Sequence, residues 1–138
     1  MTIAATPRQL VEQLLAQDPA SQLLVMQLQA VEPGYCEVTM TVTKQLTNGY
    51  QLCHGGFIFT LADSALAFAC VTSDGPALSA SSSIEFLQPA KLADQLTACA
   101  RLEYQQGRHC YCQIKVMNQQ QQLVALLHAR QVISRAKG

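Results

Sequence analysis

The chain has no tryptophan, few charges and no excess of either sign. Lysine plus arginine and aspartate plus glutamate each number 9 among 138 residues, so the formal net charge is zero. No block of like charge stands out, which argues against a nucleic-acid partner and against a polybasic membrane surface. Met1 to Val11 lacks the apolar core of a secretory signal and contains Pro7 and Arg8. The longest apolar run is interrupted by Thr60, Asp63 and Ser64, too polar for a bilayer span. Six cysteines are present, yet no Cys-x-x-Cys occurs and no Cys/His set has zinc spacing. Cys36, Cys99, Cys110 and Cys112 fall on the apolar phase of alternating segments and Cys70 sits in an apolar helix, so they read as small hydrophobes. A reducing cytoplasm without a structural metal is the expectation. No repeat or linker divides the sequence, which reads as a single domain over residues 1–138. Hydrophobic residues reach 49% against 13% charged, a balance that places further surface in a subunit interface.

The chain opens with helical spacing. Thr6-Pro7 is a cap followed by proline at the first helical position, and Leu10, Val11, Leu14 and Leu15 share a face. Asp18-Pro19 restarts a short helix or turn, giving an N-terminal helical segment over about residues 6–28. After the turn Glu32-Pro33-Gly34 the period becomes two: Cys36, Val38, Met40 and Val42 alternate with polar partners from Tyr35 to Thr43. A loop with Asn48-Gly49 leads to a helix from Phe57 to Val71, stopped near Ser73-Asp74-Gly75-Pro76. Four strands follow: Ala77 to Leu87, Asp94 to Tyr104, Arg108 to Met117 and Gln122 to Ser134. Turns at Gln106-Gly107 and Asn118 to Gln121 join the last three. The class is α+β: short N-terminal helices, then a long central helix wrapped by a curved antiparallel five-stranded sheet.

That central helix carries the chemistry. It is apolar on nearly every side, so it belongs inside the protein, where the one carboxylate, Asp63, must be paired or employed. Gly55 and Gly56 open it, and glycine lets a ligand approach the bare N–H groups of a helix start. These amides and the helix dipole suit the oxyanion that forms when a carbonyl is attacked. A tight loop-to-helix turn is the plainer use of the glycines, and a bond to Ser64 or a backbone amide the plainer use of Asp63. Asn48 offers either an amide donor to the reacting groups or a turn with Gly49. His54 either touches substrate or caps the helix entry. Ser64 lacks the Gly-x-Ser-x-Gly context of a serine nucleophile. Cys53-His54 are adjacent, and no third group orients them as a thiol dyad.

These residues resemble the hotdog-fold thioesterases, and among them the group linked to phenylacetate degradation. The resemblance rests on Asn48, His54-Gly55-Gly56 and Leu61-Ala62-Asp63, then Ile84 through Ala90 as an apolar strand ending in proline-alanine. Ala93-Asp94 stands where the family has glycine-aspartate. It implies a hotdog fold and an acyl-CoA thioesterase for aryl or medium-chain acids, phenylacetyl-CoA being one type. It further implies a homodimer with joined sheets, often paired into a homotetramer, with no cofactor beyond the coenzyme A of the substrate. Asp63, Gly55 and Asn48 would then be catalytic, Asp63 as general base on water or as nucleophile. His54, Gly56, Phe57 and Ser79 would bind substrate, with Phe59 and Leu61 beside the acyl group. Lys91, Arg101, Arg108 and Arg130 are the cations available to the CoA phosphates.

Gly55 and Asp63 lie eight residues apart on one helix, about 12 Å. A base acting through one water must sit within about two hydrogen bonds of the reacting carbon. One helix therefore cannot serve one carbonyl with both groups, and Gly55 of one subunit is expected to meet Asp63 of another. A dehydratase or hydratase on acyl thioesters is the enzymatic rival, but it would pair its histidine with an acid. A non-catalytic acyl-CoA-binding module is the other, and it would need no base.

Overall fold

The computed structural model describes residues 5–134, so the outermost ends of the 1–138 reading lie outside the described residues. Helix α1, Pro7–Ala16, starts as its sequence predicts. Thr6 Oγ1 accepts the Gln9 N–H (3.1 Å) and Gln9 Oε1 accepts the Thr6 N–H (2.9 Å), a reciprocal cap. A short α2, Pro19–Leu23, follows. Then come strands β1 (Gln27–Glu32) and β2 (Tyr35–Thr41), a 3₁₀ turn at Lys44–Leu46, and helix α3 (Gly55–Asp74). Strands β3 (Ala77–Phe86), β4 (Gln95–Gln106), β5 (His109–Met117) and β6 (Leu123–Ile133) complete the chain.

The sheet has six antiparallel strands in the order β1-β2-β4-β5-β6-β3, one more than the sequence predicts. The extra strand, β1, overlaps the end of the expected helical segment at Gln27 and Leu28 and runs on to the turn at Glu32-Pro33-Gly34. Its alternation is short, and its register with β2 breaks between Leu28 and Ala30, which blurs the period of two. Gly34, at φ 74°, closes the β1–β2 hairpin. Cys99 also departs from expectation. It shares the outer face of β4 with Thr97 and Arg101, while Leu96, Ala98 and Ala100 are buried inside.

Helix α3 packs chiefly on β2, β4 and β5. Leu61, Ala62, Ala65, Leu66 and Ala69 are fully buried there, against Val38, Ile114 and Leu127 among others. By length and composition Gly55–Ser73 is apolar enough to cross a membrane, and its buried side is the core of this domain. The sheet does not wrap it completely. Gly56 is exposed, and Thr60, Asp63, Ser64, Ala67 and Val71 are half-buried, forming one stripe at helical spacing. Edge strand β3 is exposed along most of its length.

Ala93, in the position of the family's glycine, adopts φ 74°. The left-handed region costs a residue with a Cβ about 1–2 kcal/mol. Glycine recovers that cost but loses about 0.5–1 kcal/mol in backbone entropy. Ala93→Gly is therefore expected to stabilise the protein, by up to about 1 kcal/mol in urea unfolding. A loss of stability would show that the turn at Ala93 is held by contacts of its methyl group.

Candidate active site

The loop before α3 is folded onto the segment after β3. Cys53 N–H donates to Ala90 O (2.7 Å), His54 N–H to Leu46 O (2.8 Å) and Leu92 N–H to Gln51 O (3.2 Å). These bonds bring Asn48 and Gly55 into one apolar groove with Ile58, Phe86, Leu87 and Pro89. Phe86 and Leu87 are each 53% exposed, and sequence reasoning did not place them at the site. A Cβ at Gly55 would stand 3.0 Å from the Phe86 ring, so a larger residue there would push the ring back by a few tenths of an ångström.

Several predicted site residues prove to be engaged locally. Asn48 Oδ1 accepts the Tyr50 and Leu52 N–H groups (2.9 and 3.2 Å), which is the turn role, and only its side-chain NH₂ stays available as a donor. His54 is the cap of α3: its Nδ1 accepts the Gly56 N–H at 3.3 Å, which puts the proton of the neutral ring on Nε2. The Gly56 amide is thus partly satisfied within the chain. Gly55, the first residue of α3, has no carbonyl within the helix for its N–H. A pair of free amides is therefore reduced to one, backed by the helix dipole.

Asp63 stands two turns further along, on the half-buried stripe rather than in sealed hydrocarbon. Ser79, on β3, donates its hydroxyl to Asp63 Oδ1 at 2.9 Å. Ser79, expected as a substrate-binding residue, is thus tied to the acid within the chain, and Ser64 does not take that place. Leu61 is fully buried core, so it lines no open slot. Phe57 is half-buried and faces a separate groove with Leu23, Val25 and Leu46, while Phe59 packs against the core.

Three of the four candidate phosphate ligands have partners within the chain. Arg101 lies 4.4 Å from the Tyr35 ring centre, Arg108 Nε donates to Ile133 O (3.0 Å), and Arg130 Nη1 is 2.9 Å from His109 Nδ1. Lys91 directly follows Ala90, which lines the Gly55 groove. Among the described residues no cluster of His, Cys, Asp or Glu fits a metal ion.

Cys53 neighbours His54 but is not activated by it. The residue is 7% exposed, its thiol donates to the His54 carbonyl at 3.6 Å, and burial pushes the thiol pKa up to about 11. Burial drives Cys36 up to about 12, and burial followed by the Glu37 hydrogen bond raises the Tyr35 phenol. Each group keeps its proton in the folded state to a higher pH than in the unfolded chain. Their contribution to stability is therefore complete below pH 9, the ordinary thiol value, and is lost as pH rises through 11 and 12. Thermal unfolding is expected to show a falling Tm across that alkaline range. Native Cys53 should alkylate slowly at neutral pH, and fast labelling of Cys53 at pH 7 would contradict this assignment.

Residues 50–125 match the family model described as "Thioesterase superfamily". The acyl-coenzyme A thioesterase PaaI of Escherichia coli K12 is 39% identical over 113 residues, 82% of this chain and 81% of that one. The solved structure of the E. coli PaaI protein from the phenylacetic acid degradation operon superposes with TM-score 0.91 at 34% identity, covering 95% of both chains. The smu.793 protein of Streptococcus mutans UA159, solved bound to acetyl CoA, superposes with TM-score 0.78 at 27% identity, covering 82% of this chain and 91% of its own.

Proposed function

The chain belongs to the thioesterase superfamily, and we propose that it hydrolyses the thioester of an aryl- or medium-chain acyl-CoA, of the phenylacetyl-CoA type. The carrying observation is a carboxylate held by a hydroxyl, Asp63 and Ser79, on the uncovered side of a helix whose start offers an amide beside an apolar groove. The likeness to PaaI, named an acyl-coenzyme A thioesterase, and to a protein solved with acetyl CoA supports the coenzyme A part. The groove of Ile58, Phe86 and Leu87 suits a flat or linear apolar acyl group.

In this reading the thioester oxygen receives the Gly55 N–H, with His54 and the Asn48 side-chain NH₂ as further donors beside it. Gly56 keeps the helix start open and bonded to His54, and Phe57 bounds the neighbouring apolar surface. Asp63 either takes a proton from the attacking water or attacks the carbonyl itself, forming an anhydride that water then opens. In both routes a C–O bond forms, the C–S bond breaks, and the proton ends on the CoA sulfur. Neither route calls on a metal or a redox cofactor.

Gly55 and Asp63 are about 12 Å apart along α3, so the acid reaching a given carbonyl comes from a second copy. Edge strand β3 favours that assembly. It presents a ten-residue row of backbone groups with Leu78 72% and Phe86 53% exposed, an edge that another strand can cover. A homodimer joined through β3, paired again as a homotetramer in the cytoplasm, is the form we propose.

Thiol release over a panel of aryl and fatty acyl-CoA thioesters tests the function. Asp63→Asn is expected to lower kcat by about 10²–10⁴-fold, and unchanged turnover would overturn the assignment. Dimers mixed from Asp63→Asn and Gly55→Phe subunits should each regain up to half of the wild-type activity, because one of the two sites is whole. No recovery after proven mixing would sink the shared site.

A further inference from the structure

We infer that Gln131 is a positioning residue for this site: its buried amide holds the Ser79 hydroxyl turned toward Asp63. The inference rests on the thioesterase reading given above. Gln131 is 1% exposed, on the core face of β6, and its Nε2 donates to Ser79 Oγ at 3.3 Å. Ser79 Oγ has one proton, which goes to Asp63 Oδ1 at 2.9 Å. A hydroxyl that accepts from an amide cannot donate back to it, so the chain Gln131–Ser79–Asp63 has a single sense.

Two further observations show that this contact is built. The β3–β6 register breaks between Ser79 and Ser81, leaving Ala80 as an extra residue in β3. That bulge sets Ser79 opposite the inward Gln131 and Ser81 opposite the outward Arg130. Second, Gln131 Oε1 is buried without a hydrogen-bond partner. An unpaired amide oxygen in a core is costly, and leucine or methionine would fill the same space without it. Turning the amide over would aim that oxygen at Ser79 and draw the hydroxyl proton away from Asp63. The orphan oxygen follows from keeping the NH₂ on Ser79.

Among the described residues, the titratable groups on the elements packed against Gln131 are Asp63 and, further along α3, Cys70, which touches Cys112, together with Cys110, the pairing partner of Gln131 on β5. Arg130 and His109 bond each other on the opposite face of the sheet. Only Asp63 is joined to Gln131 through a hydroxyl.

The test is steady-state kinetics on the full chain with the acyl-CoA that wild type turns over fastest. Gln131→Met is expected to lower kcat about tenfold, the scale of one misplaced hydrogen bond, with KM within about twofold. In a Ser79→Ala background the same change should cost less than about twofold, because its effect passes through Ser79. An additive loss, or a kcat unchanged by Gln131→Met, overturns the inference. Should Gln131→Met fail to fold, the near-isosteric Gln131→Glu decides. Its activity relative to wild type should fall as pH rises through the titration of the new carboxyl, which donates to Ser79 only while protonated. A flat ratio overturns the inference as well. Wild type without thiol release would overturn the thioesterase reading, and this inference with it. Turnover abolished by Asp63→Asn but untouched by both Gln131 variants would overturn the Gln131 role alone.

Discussion

Helix α3 is apolar on nearly every side, but the sheet behind it covers only part of it. The covered side supplies the core through Leu61, Ala65, Leu66 and Ala69, all without exposed surface. The other side leaves Thr60, Asp63, Ala67 and Val71 only half-buried. Covering Ala67 and Val71 on that stripe would stabilise the protein further, at roughly 25 cal/mol for each Å² of apolar surface removed. The same uncovered stripe carries the acid. The shortage of burial and the placement of the candidate chemistry are thus one fact, and both point to a second copy as the proposed cover.

The edge of the sheet obeys the same logic. Strand β3 pairs with β6 on one side and is open on the other, with four serines among its residues. Small hydroxyl side chains suit a strand that must lie close to another backbone, while Leu78 and Phe86 supply apolar anchors. Ser79 is tied at once to β6 and to α3, so it links the strand that would pair to the helix that holds the acid. Disturbing the β3 edge is therefore expected to reach Asp63 through a hydroxyl rather than through bulk packing.

Much of this was legible in the sequence, where the signal is local. The alternations of β2, β4 and β5, the Thr6-Pro7 cap and the limits of α3 follow from period and from breaker residues. Strand β1 was not legible, because a register break interrupts a six-residue alternation that also fits the end of a helical segment. The burial of Asp63 was read too deep, since composition around a helix cannot tell which sides the same chain covers. Gln131 was out of reach: its link to Ser79 joins residues 52 positions apart and depends on one extra residue in β3. Phe86 was hidden for a related reason, as its place over Gly55 is set by loop bonds between two distant segments.

The local ties of Asn48 and His54 change how the site is best understood. Both side chains use one polar atom on their own loop: Asn48 Oδ1 on the Tyr50 and Leu52 amides, and His54 Nδ1 on the Gly56 amide. Each keeps a donor facing away from that tie, the NH₂ of Asn48 and the Nε2–H of His54. A residue bonded in this way loses little further freedom when it donates to a ligand, because its side chain is already set. The plain structural role and the proposed functional one are therefore two ends of the same side chain. With the Gly55 N–H, the loop gathers donors and no acceptor charge around the helix start. In the proposed reaction that arrangement suits an oxygen on which negative charge grows, with the proton-accepting carboxylate supplied by a second copy.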